Sequence, residues 1–548
     1  MKKLLFIFLL FFFKFSFSQY DTIMVKAREY LENQQFDLAS QYFSKVLQLD
    51  PVNVHALVGL GKCYLEAGDT TTAKQYFQEA INVDSTQFEG YQALAQYYLQ
   101  KGEYRKALKI FELAKKYLTY DSRVYAWLGV VYMLLHNDAV AHRYFNMALA
   151  DIQSTSVFNI ISNGYAQVEK YDTAIAYLDY AMRYFPDNDT LYFYRSQQEV
   201  KAGYIDRAVS DMDTAIALNP GDLRYKLEKM SILLYAGRFK QAVKYGKSEM
   251  NSVKDSNFYY LFGYAMMQES KDLDSVLSII NQGIEYTGAA SLYYLAGTVY
   301  NLKREYDSAY ENFKVAAEKD PWEIKYYREM VIAKLLANTP DLDKYLYFKD
   351  FKADNLTEFK KLVKNKKSKY YYTNVLNKFL EDPLSLGLDE YLMLYIGQST
   401  LKSFSPLRRK EEYMKSQALM KNDMQDGIIK AENYLTGDLA NIGLYYLLAK
   451  GYFYLADLDG FRRNYVPYLG FILALRSTGS GKDEKNSIIS ASGMDELMLL
   501  QFFTYDQLIG VVTKKSKEHT YKIYKVAKDG QLTNYYFNVD LYSRFLSE

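Results

Sequence analysis

Apolar residues return every three or four positions along most of the chain, the spacing of amphipathic helices, and the runs are short and come in pairs. Between Leu57 and Ala148 one pair pattern is written three times. The first copy places Leu57, Leu60, Gly61 and Tyr64 ahead of Ala73, Phe77 and Ala80. The second places Tyr91, Leu94, Ala95 and Tyr98 ahead of Ala107, Phe111 and Ala114. The third places Tyr125, Leu128, Gly129 and Tyr132 ahead of Ala141, Phe145 and Ala148. Helices this short are marginal alone in water. Stability must come from stacking one pair on the next. The small residues let two axes approach, and the rings fill the space between copies. Gly68 and Gly102 close the first helix of their pairs, where a left-handed residue is needed.

This W/Y-x2-L-G/A-x2-Y then A-x3-F pattern resembles the tetratricopeptide repeat (TPR) family, whose period is about 34 residues. The resemblance implies an α-solenoid over residues 20–338 and a binding role toward other proteins. A copy at Tyr20–Pro51 precedes the three, with Ala27, Tyr30, Phe36, Ala39 and Phe43 in phase. A fifth follows with Phe158, Tyr165, Ala174, Leu178 and Ala181, and a sixth with Tyr192, Gly203, Ala208, Met212 and Ala215. The seventh keeps Gly237, Phe239 and Ala242, but Gly246 replaces the bulky residue. The eighth keeps little beyond Gly263, and the ninth is clear again with Tyr293, Gly297, Tyr300, Ala309, Phe313 and Ala316. A helix over Glu323–Ala337 is expected to cap the open end.

The phase stops at the turn Asn338-Thr339-Pro340-Asp341. Helical spacing resumes over Leu356–Phe379, Asp389–Gln398, Arg409–Lys421, Gly427–Leu435 and Ala440–Ala456. Beyond the loop Thr478–Lys482, Asn486–Ser490 reads as a strand and Met494–Phe503 as a helix. Alternating segments at Gln507–Thr513, His519–Val526 and Leu532–Val539 predict strands, the last two joined by the hairpin signal Lys528-Asp529-Gly530. The expected fold is mainly α: a TPR superhelix of about nine pairs (19–338), a linker (339–355), and an α+β domain (356–548) with a short antiparallel sheet. This last part resembles a bacterial domain of unknown function found in exported TPR proteins, on the segments Lys369-Tyr370-Tyr371-Tyr372, Phe404-Ser405-Pro406-Leu407 and Thr478–Lys482. That resemblance brings no chemistry with it.

Residues 1–18 change the compartment. Lys2 and Lys3 precede the apolar run Leu4–Phe13, and Ser16 and Ser18 offer small residues at a cleavage site before Gln19. The run is short of the roughly 20 residues a membrane span needs. A cleaved leader, and so a periplasmic or secreted protein without a remaining transmembrane segment, is expected. Cys63 is the single cysteine, which excludes a disulfide within the chain. The 67 basic and 65 acidic residues nearly cancel, so no charge excess points to nucleic acid.

Catalytic motifs are missing. In Thr478-Gly479-Ser480-Gly481-Lys482-Asp483, Arg476 stands where a phosphate loop needs its first glycine, and Asp483 where it needs a hydroxyl. His55, His136, His142 and His519 have no metal-ligand spacing. The lysines at 360, 361, 364, 366 and 367 read as one exposed helix face. No enzyme and no cofactor is expected. An enzyme or glycan-binding module within 356–548 is the alternative, and a cluster of buried polar groups in a pocket would favour it.

The TPR resemblance implies a concave face lined by first helices. In copies five to nine it selects Asn159, Asn163, Phe193, Gln197, Arg224, Ser231, Tyr260, Tyr264, Tyr294 and Thr298. The family's carboxylate clamp is not reproduced, because Tyr194 and Glu228 occupy clamp positions. Amides and rings suit an adaptable peptide groove instead. The expectation is an exported scaffold that binds protein or peptide partners in the bacterial envelope.

Overall fold

The computed structural model describes residues 22–31, 35–150, 152, 154–339, 356–502, 507–528 and 531–543. The expected leader, linker residues 340–355 and the hairpin pair Asp529-Gly530 lie outside the described residues. The chain forms two compact units that divide between Arg238 and Phe239.

Helix pairs fill the first unit, from 22–31 with Phe36–Leu49, through Val54–Glu66 with Thr70–Val83, to Asp189–Ala202 with Ile205–Leu218 and the single helix Leu223–Tyr235. The alanines that set the period are fully buried at Ala39, Ala73, Ala107, Ala174 and Ala208. A methyl on Gly61 would lie within 3.0 Å of three ring carbons of Phe77, so the small first-helix residue exists to admit that ring. Tyrosine is preferred to phenylalanine for a second reason. Tyr91, Tyr125 and Tyr192 each donate their hydroxyl to the carbonyl six residues earlier (Ser85, Thr119 and Pro186; 3.1, 2.6 and 3.1 Å), tying each first helix to the loop before it. The turn within each pair needs a positive φ. Gly68, Gly102 and Gly203 supply it cheaply, while His136 and Glu169 adopt it at φ 59°. Cys63 is buried and its thiol is pushed up to about 11, chiefly by desolvation.

The second unit opens with Phe239–Glu249 and the pairs Ser256–Glu269 with Leu273–Thr287 and Ala290–Lys303 with Tyr306–Lys319. The two degenerate copies keep the packing by exchanging partners. Gly246 leaves room for Phe262, whose ring carbons would lie 2.6 Å or less from a methyl there. Val276, Ile280 and Gly283 occupy the positions of Ala-x3-Phe-x2-Ala, and Val276 and Ile280 are fully buried. The eighth copy therefore retains more of the repeat than its spelling suggests.

Helix Ile324–Ala337, expected as a cap, is instead built into a continuous core running from Ala309 to Tyr542. Its Tyr327 ring lies 5.9 Å from Phe461, and the Asn338 amide donates to the Leu384 carbonyl at 2.8 Å. Beyond it come Leu356–Leu362, Tyr372–Glu381, Leu388–Ser399, Pro406–Asn422, Met424–Leu435, Ile442–Tyr454 and Leu458–Arg476. The expected helix Leu356–Phe379 is broken by a turn at 363–371, so its lysines do not share one helix face. Ile442–Arg476 repeats the pair geometry seen earlier: Tyr445-x2-Leu448-Ala449-x2-Tyr452, a hydroxyl bond from Tyr445 to the Leu439 carbonyl (3.2 Å), and Ala456 at φ 57° in the turn.

Four strands complete the unit: β1 (Ile488–Ile489), β2 (Gln507–Lys515), β3 (Thr520–Lys528) and β4 (Gln531–Asn538), in the order β1-β4-β3-β2. β2–β3 and β3–β4 are antiparallel, but β1 pairs parallel with β4. The sheet is mixed rather than purely antiparallel, because helix Gly493–Phe502 carries the chain away between β1 and the meander. Among the described residues, no helix is long and apolar enough to cross a membrane.

Candidate functional site

First helices of successive pairs line a groove along the first unit. One part, about 570 Å³, is walled by Gln92, Gln96, Arg123, Trp127, Asn159, Asn163, Tyr194 and Lys201. A second part, about 490 Å³, shares Gln92 and Gln96 and extends to Arg28, His55, Lys62 and Glu89. Trp127 is only 8% exposed, and its indole stacks on Phe111 with centroids 5.5 Å apart and planes 9° apart. That stacking fixes the ring, yet its buried Nε1–H has no hydrogen-bond partner among the described residues. The buried Asn159 Oδ1 also lacks one. Leaving such atoms unpaired costs about 1–3 kcal/mol each. Asn163 Oδ1 accepts from the Gln198 amide at 3.3 Å. Arg123 is held by Asp121 through two bonds of 3.0 and 2.7 Å, with Glu89 at 3.5 Å. The groove thus offers a row of side-chain amides, an indole wall and mostly basic ends.

The helix that supplies Tyr194 and Lys201 also carries a buried charge network. Arg195 bonds Asp211 in a fork (2.7 and 2.6 Å) and Asp179 at 2.6 Å. Glu199 lies 2.9 Å from Arg207 without hydrogen-bond alignment. Burial, with Asp211 nearby, pushes its carboxyl up to about 7.

Family comparisons agree with this architecture. Residues 30–97 match the model of the tetratricopeptide repeat, and residues 357–547 that of DUF4919, a domain of unknown function. Each match covers less than half of the chain. Similar solved structures include Pseudomonas aeruginosa PilF (21% identity, 38% of this chain and 95% of that one, TM-score 0.25). Another is TTC0263, a thermophilic TPR protein of Thermus thermophilus (17%, 39% and 99%, TM-score 0.26). A third is YrrB, described as a TPR protein with an unusual peptide-binding site (17%, 36% and 100%, TM-score 0.21). No curated protein matches the chain in sequence.

Of the ten residues selected from the TPR register, Asn159 and Asn163 line the groove. Phe193 is half-buried with its ring 5.4 Å from Tyr225, and Gln197 and Ser231 are half-buried. Arg224 is exposed and forked onto Asp222 (3.0 and 2.6 Å). Tyr260, Tyr264, Tyr294 and Thr298 belong to the second unit. There Tyr294 packs 5.1 Å from Tyr326, Thr298 donates to the Tyr294 carbonyl at 3.0 Å, and Tyr264 is exposed. Burial pushes the Tyr260 and Tyr294 phenols up. The register that selects Asn159 and Asn163 falls two repeats earlier on Gln92 and Gln96, so those two were within reach of the sequence. Trp127 sits off that register, and nothing in its spacing distinguishes it from core.

The region matched by the DUF4919 model does contain a cluster of buried polar groups. Arg409, fully buried, forks onto Asp438 (2.5 and 2.8 Å) and bonds Asp495 at 2.6 Å. Tyr395 donates to Asp495 at 2.7 Å and accepts from the Ala491 amide at 2.6 Å. Next along the chain, Glu496 accepts from Ser490 (2.7 Å), Tyr524 (2.6 Å) and Tyr542. Burial pushes both carboxyls up, opposed by Arg409 at Asp495 and by Lys522 at Glu496. Arg409, Asp495 and Glu496 have no solvent exposure, and what they bind is other parts of the domain. These groups act as ties between distant segments. Two of the segments that carried the family resemblance serve the same end: Tyr370 bonds Asp389 (2.8 Å), Tyr372 bonds Gln398 (2.5 Å), and Thr478 accepts from the Ile489 amide (2.9 Å). In the glycine loop, the Gly481 amide is spent on the Asn486 carbonyl at 2.6 Å, so it is not presented to a phosphate. His519 is bound to Asp540 at 2.6 Å, and no metal-ligand cluster occurs among the described residues.

Proposed function

We propose that this protein is an exported, non-enzymatic scaffold of the bacterial envelope, and that its first unit holds an extended segment of a partner protein in the groove. The observation that carries the reading is the run of groove-lining amides, Gln92, Gln96, Asn159 and Asn163, beside Trp127, Arg123 and Lys201. A peptide backbone presents carbonyl acceptors and N–H donors side by side, so it can pair with side-chain amides that both donate and accept. The amides of Gln92 and Gln96 extend the same chemistry along the groove. The leader sequence supports export.

The test is selection of peptides from a random library on the purified chain, followed by titration of the enriched sequences. Trp127→Phe/Asn159→Ala should weaken binding by roughly tenfold or more, about 1.4 kcal/mol. The outer-face pair Lys109→Ala/Glu112→Ala should leave it unchanged. Equal affinities for both variants would overturn the groove reading.

A further inference from the structure

Strand β2 ends the sheet, and every one of its residues from Gln507 to Lys515 is exposed. Its apolar side chains lie on both faces. Val511 stands beside Tyr524 and Leu508 beside Val526, on the side that β3 turns to the core, whereas Val512 stands beside Ile523 on the other. Leu508, Ile509, Val511 and Val512 are 38, 48, 51 and 64% exposed. Beyond the irregularity between Leu508 and Gly510, the strand pairs with β3 without a break to Lys515, leaving one long backbone edge unpaired among the described residues. Edges of this kind template the pairing of another strand.

Among the described residues the charge around the edge is one-sided. Lys515, Lys517 and Lys525 are exposed and have no carboxylate partner among the described residues, while Lys514 is held by Glu484. Glu518 is the one acidic residue of the β2–β3 turn. We infer that β2 is a docking edge for an extended, acidic segment of another protein, added as a fifth strand whose glutamates or aspartates alternate with β-branched residues. Main-chain bonds would supply affinity, the lysines sign selectivity, and the valines a dry lateral contact. A second copy of this chain fits less well, because it would bring two sets of unpaired lysines together. An anionic lipid surface fits less well too, since an open strand edge cannot enter hydrocarbon without leaving its amides unsatisfied.

The experiment uses the full mature chain and a labelled synthetic peptide that alternates glutamate with valine, read by fluorescence anisotropy. Binding is expected, weakened at least about tenfold when alternate peptide amides are N-methylated or glutamate is replaced by lysine. Val512→Glu, at an exposed position that leaves folding intact, should weaken it by a similar factor. Raising salt from about 50 to about 300 mM should weaken it further. The inference is overturned if the charge-reversed or N-methylated peptide binds as well. It is also overturned if the chain instead dimerises through this edge, lost in Val512→Glu, or sediments with phosphatidylglycerol vesicles while ignoring the peptide.

Discussion

Gly246 is the position where repeat consensus and tertiary packing give opposite advice. Consensus would place a bulky residue there, and helix propensity favours alanine over glycine by about 0.5–1 kcal/mol. The structure forbids both. A methyl on Gly246 would sit 2.6 Å or less from three ring carbons of Phe262, where ordinary contact begins near 3.4 Å, so the ring would have to retreat about 0.8 Å or more. Phe262 is fully buried. Overpacking of this kind costs about 1–3 kcal/mol. Gly246→Ala should therefore destabilise by a net ~1–2 kcal/mol, against the sign of its propensity, and Gly246→Phe by more. Phe262→Ala alone should cost about 3–5 kcal/mol through the cavity it leaves. Combined, Gly246→Phe/Phe262→Ala exchanges the ring between the two helices and should recover ~1–3 kcal/mol relative to the sum of the single changes. Urea unfolding followed by far-UV circular dichroism reads the total. Because repeat arrays depart from two-state behaviour, hydrogen exchange on peptides covering 239–269 reads the local effect. A stabilised Gly246→Ala, or strict additivity in the double variant, would refute the exchange of packing partners.

Three further outcomes follow from the same geometry. Glu199 is protonated more readily in the folded chain (about 7) than its ordinary 4.5, so its contribution to stability is full below pH 4.5 and is lost as pH rises to 7. Glu199→Gln should flatten that window and exceed wild type by ~1–3 kcal/mol at pH 8 in urea midpoints; an unchanged pH profile would contradict the assignment. His136→Gly should raise stability by roughly 0.5–1 kcal/mol by relieving φ 59°, checked by thermal melts, and a loss would mean the imidazole makes an unrecognised contact. Arg409→Met should cost about 3–5 kcal/mol by stranding Asp438 and Asp495, with much of the loss recovered when both become asparagine; denaturant titration separates the two.

Much of this protein was legible in its sequence because a repeat makes mostly short-range contacts and makes the same ones each time. The spacing of Ala73, Ala107 and Ala141 and the rings of Phe77, Phe111 and Phe145 determine pair geometry from neighbours one period away. For the same reason Asn159 and Asn163 could be placed on a groove before any coordinates. Where a ring changes helix, or where contacts span longer separations, spelling stops being informative. Phe262 answers Gly246 from the next helix, so the seventh and eighth copies look degenerate while their packing is complete. Arg409, Asp438, Asp495 and Tyr395 read as ordinary polar residues of four separate segments, and only folding brings them into one buried set. Strand β1 finds a parallel partner in β4, more than forty residues on, which no hairpin rule anticipates. Trp127 reads as core in the sequence, and only the folded surroundings show that its indole N–H has no hydrogen-bond partner among the described residues.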